Sequence, residues 1–381
     1  MRHQRQLELF DRIGAAGPRL NGLFGAASMV QQASAYTDKD RFDKEQRVLF
    51  RGSPNLIGLS VECPAPGDYL TAMFGGVPVA VIRQADGSLR AMLNVCRHRG
   101  APILEGMGSG LRKLSCPYHA WTYGLDGTLE GRPMSDGAFD DVTMNCDLHP
   151  VAVAERYGLI FVRASGLASI DVDATLGGAQ DDLGSYGLDH YTHFETRSAL
   201  WKMNWKLVLD TFTESYHIRT LHKTTLAPTF HSGCVLFEPF GANVLSVGLR
   251  ADVFDELAKP ATERSLLPYA TMQYFLVPSA MLCHQRDHVE LWRLTPIDER
   301  TTAVKTSLFA PSEPTTEKAR NYWRKNLDLL INVTATEDFT LMEKIQANLD
   351  SGALAEVIYG RIEPPLVHLH REINAALDGA T

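Results

Sequence analysis

The chain has 381 residues, of which 45% are hydrophobic and 22% are charged, a composition that supports two or three packed domains and excludes wholesale disorder. Its 37 basic and 45 acidic residues give a net charge of −8, so the chain lacks the broad positive surface that attracts nucleic acid or anionic lipid. It has no run of about 20 apolar residues and no apolar leader segment, which predicts a cytoplasmic protein without a membrane span.

The order of sequence patterns predicts three parts. Residues 1–45 have a helical pattern with glycine-rich interruptions. Residues 46–165 contain short β-branched or alternating runs separated by turn signals such as Ala85-Asp86-Gly87, which predicts a small all-β domain. Residues 166–381 combine strand-like runs with a long helical pattern over 315–349. Strands followed by a long helix predict an α+β fold.

Two short loops in the all-β part each carry one cysteine and one histidine. NVCRHRG contains Cys96 and His98, and LSCPYHAWTY contains Cys116 and His119. Two thiolates and two imidazoles are a ligand set for zinc or for a Rieske-type [2Fe–2S] cluster. Structural zinc sites usually pair like with like. The mixed pairing here therefore favours a cluster in which one iron takes both thiolates and the other takes both imidazoles.

The residues around this motif have simpler interpretations. Trp121 and Tyr123 follow the second histidine, and they either shield a cluster and donate hydrogen bonds to it or form ordinary core. The other four cysteines have no partner at ligand spacing and are predicted to be packed thiols: Cys63, Cys146, Cys234 and Cys283.

A second group of polar residues lies in NWKLVLDTFTESYHIRTLH. On one helix, Asp210, Glu214 and His217 would share a stripe, because residues three and four apart are neighbours. His217 and His222 are ~140° apart on an ideal helix, so both reach one metal only if the helix ends or distorts between them. Two histidines and one carboxylate are the ligand set of non-haem Fe(II) oxygenases. The spacing leaves the carboxylate open among residues of the long helix: Glu337, Asp338, Glu343 and Asp350.

The two motifs in one chain resemble the catalytic α subunit of the Rieske non-haem iron oxygenases, the aromatic-ring-hydroxylating dioxygenase family. The likeness extends from about residue 46 to the C-terminus. It implies a Rieske [2Fe–2S] domain over 46–165 and, over 166–381, a catalytic domain of antiparallel sheet covered by helices (helix-grip, START-like), with 1–45 packed on the body. The implied cluster ligands are Cys96, His98, Cys116 and His119. The implied ligands of the mononuclear iron are His217, His222 and Asp338, with Glu337 beside them as a non-ligand.

The resemblance also implies a route between the two centres. In the family, an acid three residues before the first ligand histidine connects it to a Rieske histidine of the neighbouring subunit. The matching residues here are Glu214 and His119, and many members have aspartate in place of Glu214. Asp210 is interpreted either as a hydrogen-bond partner near the iron or as a solvated helix acid. Electron transfer between subunits implies a homotrimer or an α3β3 assembly.

The implied activity is that of a terminal oxygenase in a multicomponent system. It would use O2, the [2Fe–2S] cluster and mononuclear Fe(II) to hydroxylate an aromatic or related apolar molecule, as in aromatic hydrocarbon catabolism. Because the chain has no nucleotide-binding motif, a separate reductase, with or without a ferredoxin, is expected to supply electrons from NAD(P)H. We expect the pocket to be lined by apolar side chains between the two ligand segments and just before them: Phe212, Phe230, Phe275, Leu276, Met281 and Trp292.

Two other interpretations stay open. The chain could be a monooxygenase or demethylase of a quaternary amine or of an aromatic carboxylate. An amine requires an aromatic cage or a carboxylate, and a carboxylate requires an inward arginine, for which Arg286 and Arg293 are candidates. The other interpretation is a non-catalytic Rieske electron carrier or a zinc-bound scaffold. His284 and His288 lie in a strand-like region and are predicted to face solvent.

Overall fold

The computed structural model describes residues 1–134 and 136–380. The chain forms two compact units, Gln46–Thr175 and Met1–Glu45 with Leu176–Thr381. Both contain antiparallel sheets, and helices accompany them, which confirms the predicted α+β class. Within the described ranges, no helix is both long enough and apolar enough to cross a bilayer.

The N-terminal segment is not wholly helical. It contains helices α1 (His3–Ala16), α2 (Ser34–Thr37) and α3 (Lys39–Glu45), but also strand β1 (Met29–Gln32). This strand pairs antiparallel with Glu356–Tyr359 near the other end of the chain. A helical prediction for the whole of 1–45 is therefore wrong at β1, because its hydrogen bonds come from a partner more than 300 residues away, which local periodicity does not reveal.

The unit Gln46–Thr175 is built almost entirely of strands. They are β2 (Asn55–Leu59), β3 (Tyr69–Phe74), β4 (Val77–Arg83), β5 (Leu89–Leu93), β6 (Met107–Gly108), β7 (Leu114–Ser115), β8 (Thr122–Tyr123), β9 (Leu129–Gly131), β10 (Pro150–Arg156) and β11 (Leu159–Arg163), with a π-helical turn (Gln46–Arg51) before them and helix α4 (Val172–Leu176) after them. One sheet has the order β2-β11-β10-β5-β4-β3-β6, and a smaller sheet has the order β7-β8-β9.

Strand β4 divides the core of this unit in two, because successive side chains of a strand point to opposite faces. Val79 and Val81 pack into a purely structural cluster of apolar side chains. Ala80 and Ile82 pack into the cluster that contains the two cysteines of the Cys/His loops. The alternation along β4 thus places these loops on a buried apolar support.

The other unit contains a seven-stranded antiparallel sheet of order β12-β18-β17-β16-β15-β14-β13. Its strands are β12 (Thr192–Trp201), β13 (Leu236–Phe240), β14 (Asn243–Leu249), β15 (Ala270–Leu276), β16 (Ala280–His284), β17 (Val289–Asp298) and β18 (Thr301–Ala310), and β19 (Glu356–Tyr359) pairs with β1. Its helices are α5 (Gln180–Gly184), α6 (Trp205–Thr213), α7 (Ile218–Leu221), α8 (Val253–Leu257), α9 (Glu317–Val333), α10 (Thr340–Asp350) and α11 (Pro364–Asp378). The long predicted helix is interrupted by a π-helical turn, Thr334–Phe339, between α9 and α10.

Helix α6 is anchored by a buried ion pair. The Lys206 ammonium lies 2.7 Å from a Glu45 carboxylate oxygen, and both side chains are almost completely buried. Glu45 also accepts a hydrogen bond from the Trp205 indole and contacts Arg41. Because an unpaired charge would be costly at this depth, the pair fixes the first turn of α6 against the N-terminal segment.

Candidate metal centres and active-site cavity

The two Cys/His loops share the same backbone geometry. In the first loop, the Cys96 carbonyl accepts a hydrogen bond from Gly100 N, and Gly100 has a positive φ of 82°. In the second, the Cys116 carbonyl accepts from Ala120 N, and Ala120 has a φ of 54°. Each loop therefore turns sharply four residues after its cysteine, just beyond its histidine.

The side chains of these loops suit a [2Fe–2S] cluster. Cys96 and Cys116 are free and buried, whereas the Nδ1 atoms of His98 and His119 lie 3.2 Å apart near the surface. Two thiols on the buried side and two imidazole nitrogens converging on the exposed side are the donor set that a Rieske cluster requires. The residues present thus fit the group, and His119 is the more exposed of the two histidines.

Aromatic residues support both sides of this donor set. The Tyr123 hydroxyl accepts a hydrogen bond from Arg97 N and lies within hydrogen-bond distance of the Cys96 sulfur, at 3.3 Å. Trp121 stacks on His98 with an interplanar angle of 8°. Both residues are also part of the buried apolar cluster beneath the loops, so the two alternatives, shielding and ordinary core, coincide here, and the contacts restrict the positions of one thiol and one imidazole.

The second group of polar residues does not form one helical stripe, so that prediction is wrong. Helix α6 ends at Thr213, and Glu214 is extended with φ −134° and ψ 163°. A short second helix, α7, then separates His217 from His222, which occupy its two ends. The break satisfies the condition that two histidines five residues apart can face one point. Their ring centroids are 5.0 Å apart.

The π-helical turn brings the carboxylate to the histidines. The Thr340 hydroxyl donates to the Ala335 carbonyl, five residues back in this turn. Asp338 lies inside this turn and is buried. A π-helical turn adds one residue within a helix and is frequent at functional sites. Here the extra residue turns Asp338 to a different face of the helix from the one it would occupy if α9 continued regularly.

His217, His222 and Asp338 form a three-residue group suited to one metal ion. One ligand atom from each lies within 4.8 Å of the other two. Asp338 Oδ1 is 2.9 Å from His222 Nε2 and 3.5 Å from His217 Nε2. Among the described residues, this buried oxygen accepts no hydrogen bond. An unsatisfied carboxylate oxygen facing two imidazole nitrogens fits the two-histidine, one-carboxylate set of non-haem iron.

Each histidine of this group is held by a glutamate on its other nitrogen. Glu214 contacts His217 Nδ1 and accepts a hydrogen bond from His217 N. Glu337 accepts from His222 Nδ1 at 2.7 Å and from the Thr225 hydroxyl. A carboxylate on Nδ1 selects the tautomer whose Nε2 lone pair is free for a metal. The sequence prediction treated Glu337 only as a non-ligand and did not foresee this contact with His222. The one sequence feature that could have indicated it is the position of Glu337 next to Asp338.

The other candidate acids lie in different surroundings. Asp210 accepts hydrogen bonds from Tyr36 and His370 in a buried network that also includes Tyr359, and it contacts neither histidine of the metal group.

The other acids of the long helix have partners elsewhere. Glu343 accepts a hydrogen bond from the Lys202 amide, and Asp350 pairs with Arg300. Of the four acids that the spacing left open, only Asp338 joins the two histidines. The assigned roles of all these residues stay predictions.

A cavity of about 470 Å³ opens beside the metal group. Glu290 and Trp292 line it from alternate positions of β17, and His288 lines it from the residue just before that strand, as the period of a strand dictates. Four of the six predicted apolar residues line it: Phe212, Phe230, Met281 and Trp292. The remaining two, Phe275 and Leu276, are buried in the sheet elsewhere. The residues not foreseen in the cavity wall are mainly polar, and they include Thr271, Gln273 and Gln285.

The two histidines predicted to face solvent are in fact buried. His288 contacts Asp287 through Nδ1 and Glu290 through Nε2. Burial lowers the pKa of His288, but the hydrogen bonds and charges of Glu290 and Asp287 outweigh it and leave the pKa above its ordinary value. Burial lowers the pKa of His284 to about 4. Strand alternation alone does not tell a buried face from an exposed one when both carry polar residues.

Comparison with known proteins gives two family matches. Residues 188–379 match the ring hydroxylating alpha subunit (catalytic domain), and residues 53–140 match the Rieske [2Fe-2S] domain.

The glycine betaine monooxygenase oxygenase subunit of Chromohalobacter salexigens is 35% identical over 191 residues, which cover 50% of this chain and 42% of that protein. The carnitine monooxygenase oxygenase subunit of Escherichia coli K12 is 27% identical over 334 residues, 84% of each. The match thus spans about half the length of the first curated relatives or less.

Solved structures share the fold. The quaternary ammonium Rieske monooxygenase CntA in complex with L-carnitine superposes with a TM-score of 0.76 at 22% identity, covering 95% of this chain and 96% of that one. Naphthalene 1,2-dioxygenase with indole bound gives a TM-score of 0.70 at 21% identity and covers 92% of each chain.

Proposed function

Because the chain belongs to the family of ring-hydroxylating α subunits, with a Rieske [2Fe–2S] domain before its catalytic domain, we propose that it is the terminal oxygenase of a multicomponent Rieske system. One observation carries the proposal. His217, His222 and the unsatisfied Asp338 oxygen converge beside a cavity large enough for a small organic molecule. A non-catalytic electron carrier would not need this combination, and a zinc scaffold would not need the open side.

The residues of the chain supply positioning and shielding. Iron bound at this group would activate O2 with electrons that the [2Fe–2S] cluster delivers singly. Glu214 and Glu337 hold the two imidazoles so that both Nε2 atoms face Asp338. Phe212 packs on Trp292 with ring centroids 4.9 Å apart, and these rings form an apolar part of the cavity wall. The protein thus provides an oriented donor set beside a partly apolar wall.

The electron supply requires partners. We propose that a reductase, with or without a ferredoxin, transfers electrons from NAD(P)H to the cluster, and that the chain works in the cytoplasm as a homotrimer or an α3β3 assembly. In such an assembly, the exposed His119 of one copy would contact Glu214 of the next. Glu214 is suited to this because it already binds the metal-group residue His217.

The substrate that the cavity favours most is a quaternary amine. Relatives act on glycine betaine and carnitine, as their names state, and the cavity offers aromatic faces together with the buried carboxylate of Glu290. A cation is stabilised by aromatic faces and by a carboxylate. An apolar aromatic substrate is the second candidate. It is favoured by Phe212, Met281 and Trp292 and by the likeness to a naphthalene dioxygenase component, but it would leave the polar wall without partners.

The proposal is tested by removing one metal ligand. Substituting Asp338→Ala or His217→Ala should abolish turnover and lower the iron content from about three to about two per chain, while the visible absorption of the cluster persists. Turnover is measured as oxygen uptake coupled to product, with a surrogate reductase and a panel of amines and aromatics. Glu313→Gln, at an exposed loop position, is the control. Wild-type protein that contains zinc and has no colour would instead support the scaffold interpretation.

A further inference from the structure

Among the described residues, Arg250 is a half-buried cation of the active-site cavity without an ionic partner. Arg250 directly follows β14 and lines the same cavity as the metal group. Its guanidinium carbon lies 5.1 Å from the centroid of the Phe230 ring, and the backbone of the two residues forms a bridge. Over the described part of the chain, no carboxylate lies within ion-pair distance of Arg250, and its side chain makes no hydrogen bond. Arg250 is half-buried in the cavity wall, so its guanidinium is placed to meet an anionic group of a molecule that enters the cavity.

The surroundings of Arg250 provide donors rather than negative charge. Thr271, Gln273 and Gln285 line this part of the cavity. The Thr271 hydroxyl donates to Gln285 Oε1 at 2.9 Å, which occupies the amide oxygen and leaves the amide nitrogen as a donor. Phe230 covers one face of the guanidinium and leaves its N–H edge available, the edge that binds planar carboxylates in bidentate fashion.

Two acids of the cavity, Glu290 and Asp287, already have hydrogen-bond partners of their own. Glu290 lies on β17, three strands from β14 in the sheet, or about 14 Å at the usual strand spacing. It accepts hydrogen bonds from His288 and Trp292. Asp287 accepts from His288 and Tyr322. The cavity therefore has a positive end at Arg250 and an acidic end at Glu290, and nothing within the described residues neutralises the positive end.

We propose that Arg250 binds a carboxylate of the substrate and so restricts the substrate class to small monocarboxylates, such as carboxylate-bearing quaternary amines or aromatic acids. The inference deepens the proposed function and rests on it, since it concerns the same cavity. A single guanidinium with neutral amides around it suits a monoanion, because a dianion would need a second cation. Neither arginine expected from the sequence fills this role: Arg286 is exposed at the cavity mouth and Arg293 does not line the cavity.

The proposal is tested by matched pairs of acids and esters. Glycine betaine, γ-butyrobetaine and benzoate are each compared with their methyl esters by isothermal titration against the iron-loaded protein. The wild type should bind at least one acid about 10- to 100-fold more tightly than its ester, the usual effect of a charged hydrogen-bonded pair. Arg250→Gln should remove this preference, and Arg250→Lys should keep part of it, since lysine retains the charge without the bidentate geometry.

Arg286→Gln is the matched control, because Arg286 also lines the cavity but at its exposed mouth; it should keep the preference. The proposal is overturned if the wild type binds no acid more tightly than its ester, if Arg250→Gln retains the preference, or if Arg286→Gln removes it.

Oxygen uptake coupled to product separates this inference from the proposed function. Product formation without a preference for acids contradicts only the inference. A preference that depends on Arg250, without oxygen uptake on any compound, contradicts only the proposed function.

Discussion

At the scale of single residues, the metal group depends on pairs of side chains rather than on the three ligands alone. Both histidines have a glutamate on Nδ1, and both direct Nε2 at the same oxygen of Asp338. Partners of this kind orient a ligand and raise its basicity. Glu214 comes from the same segment as its histidine, whereas Glu337 comes from a helix more than 100 residues away. The two histidines are thus held by independent parts of the chain.

We predict that Glu337→Ala weakens mononuclear iron binding by about 10- to 100-fold, because His222 loses the acceptor that fixes its tautomer. Glu337→Gln should have a smaller effect, since an amide oxygen still accepts a hydrogen bond. Iron affinity is measured by competition with a chelator, and the visible spectrum reports the cluster separately. Equal iron affinity in Glu337→Ala and in the wild type would show that the contact is not needed.

A second residue-scale prediction concerns pH. Because the folded pKa of His288 lies above its unfolded value of about 6.5, its protonation stabilises the fold fully below that pH, and this contribution is lost as the pH rises through the folded pKa. The urea midpoint should therefore fall less steeply above pH 6.5 in His288→Gln than in the wild type.

His284 provides the internal comparison for this measurement. Its pKa is lowered to about 4 by burial, so it is neutral in both the folded and the unfolded state well above pH 6.5, and His284→Gln should leave the slope there unchanged. Parallel pH profiles for His288→Gln and the wild type would mean that the contacts with Glu290 and Asp287 do not raise its pKa in the folded state.

At the scale of elements, two interruptions of helices create the site. The end of α6 at Thr213 and the short helix α7 allow His217 and His222 to face one point. The π-helical turn Thr334–Phe339 then directs Asp338 and Glu337 to these histidines. Such a turn costs stability relative to a regular helix and persists where function requires it. The helices are therefore irregular at the places where the ligands lie.

We predict that deleting Thr336, an exposed residue of this turn, shortens it to a regular helix and turns Asp338 by ~100° relative to α9. The variant should lose mononuclear iron but keep the cluster and the far-ultraviolet circular dichroism of the wild type. Thr336→Ala keeps the chain length and should bind iron normally. If the deletion variant binds iron as tightly as the wild type, the extra residue is not what places the carboxylate.

At the scale of the whole molecule, the chain carries two redox-active sites in two compact units. The cluster loops belong to Gln46–Thr175, and the metal group belongs to the unit that contains residues 176–381. His119, an exposed residue of the cluster loops, is accessible to another molecule. Glu214 is only partly buried, with 12% of its side chain exposed. These exposures support the proposal that electrons pass between copies.

Mixing two inactive variants tests this arrangement. Cys116→Ser removes the cluster and Asp338→Ala removes the mononuclear iron, so each variant alone should be inactive. Co-expressed, they should regain roughly a quarter of wild-type turnover, because a randomly mixed ring joins the two intact centres at one interface in four. Wild type diluted with the doubly substituted chain controls for assembly. No recovery in mixed assemblies, with trimers confirmed by mass, would mean that transfer occurs within one chain.

The ligand chemistry could be predicted from the sequence, because it depends on residue types at short spacings. Cys96-x-His98 and Cys116-x-x-His119 lie within single loops, so the pattern carries the whole donor set and its family. The same holds for the pair His217 and His222. The α+β class followed from alternating and helical runs, which are likewise local. For these features, neighbours in the chain are also neighbours in space.

The distant residues that join these groups could not be predicted, because the folding of the chain brings them together. Spacing left four acids as partners for the histidines, and the π-helical turn brings Asp338 to them while Glu337 takes a supporting role. The same is true of β1, which pairs across the whole chain, and of Asp210, which packs with Tyr36 and His370. The polar cavity wall and the unpaired Arg250 depend on which strand face is covered and which strands are adjacent. Long-range pairing and burial decide these features, and no local pattern records them.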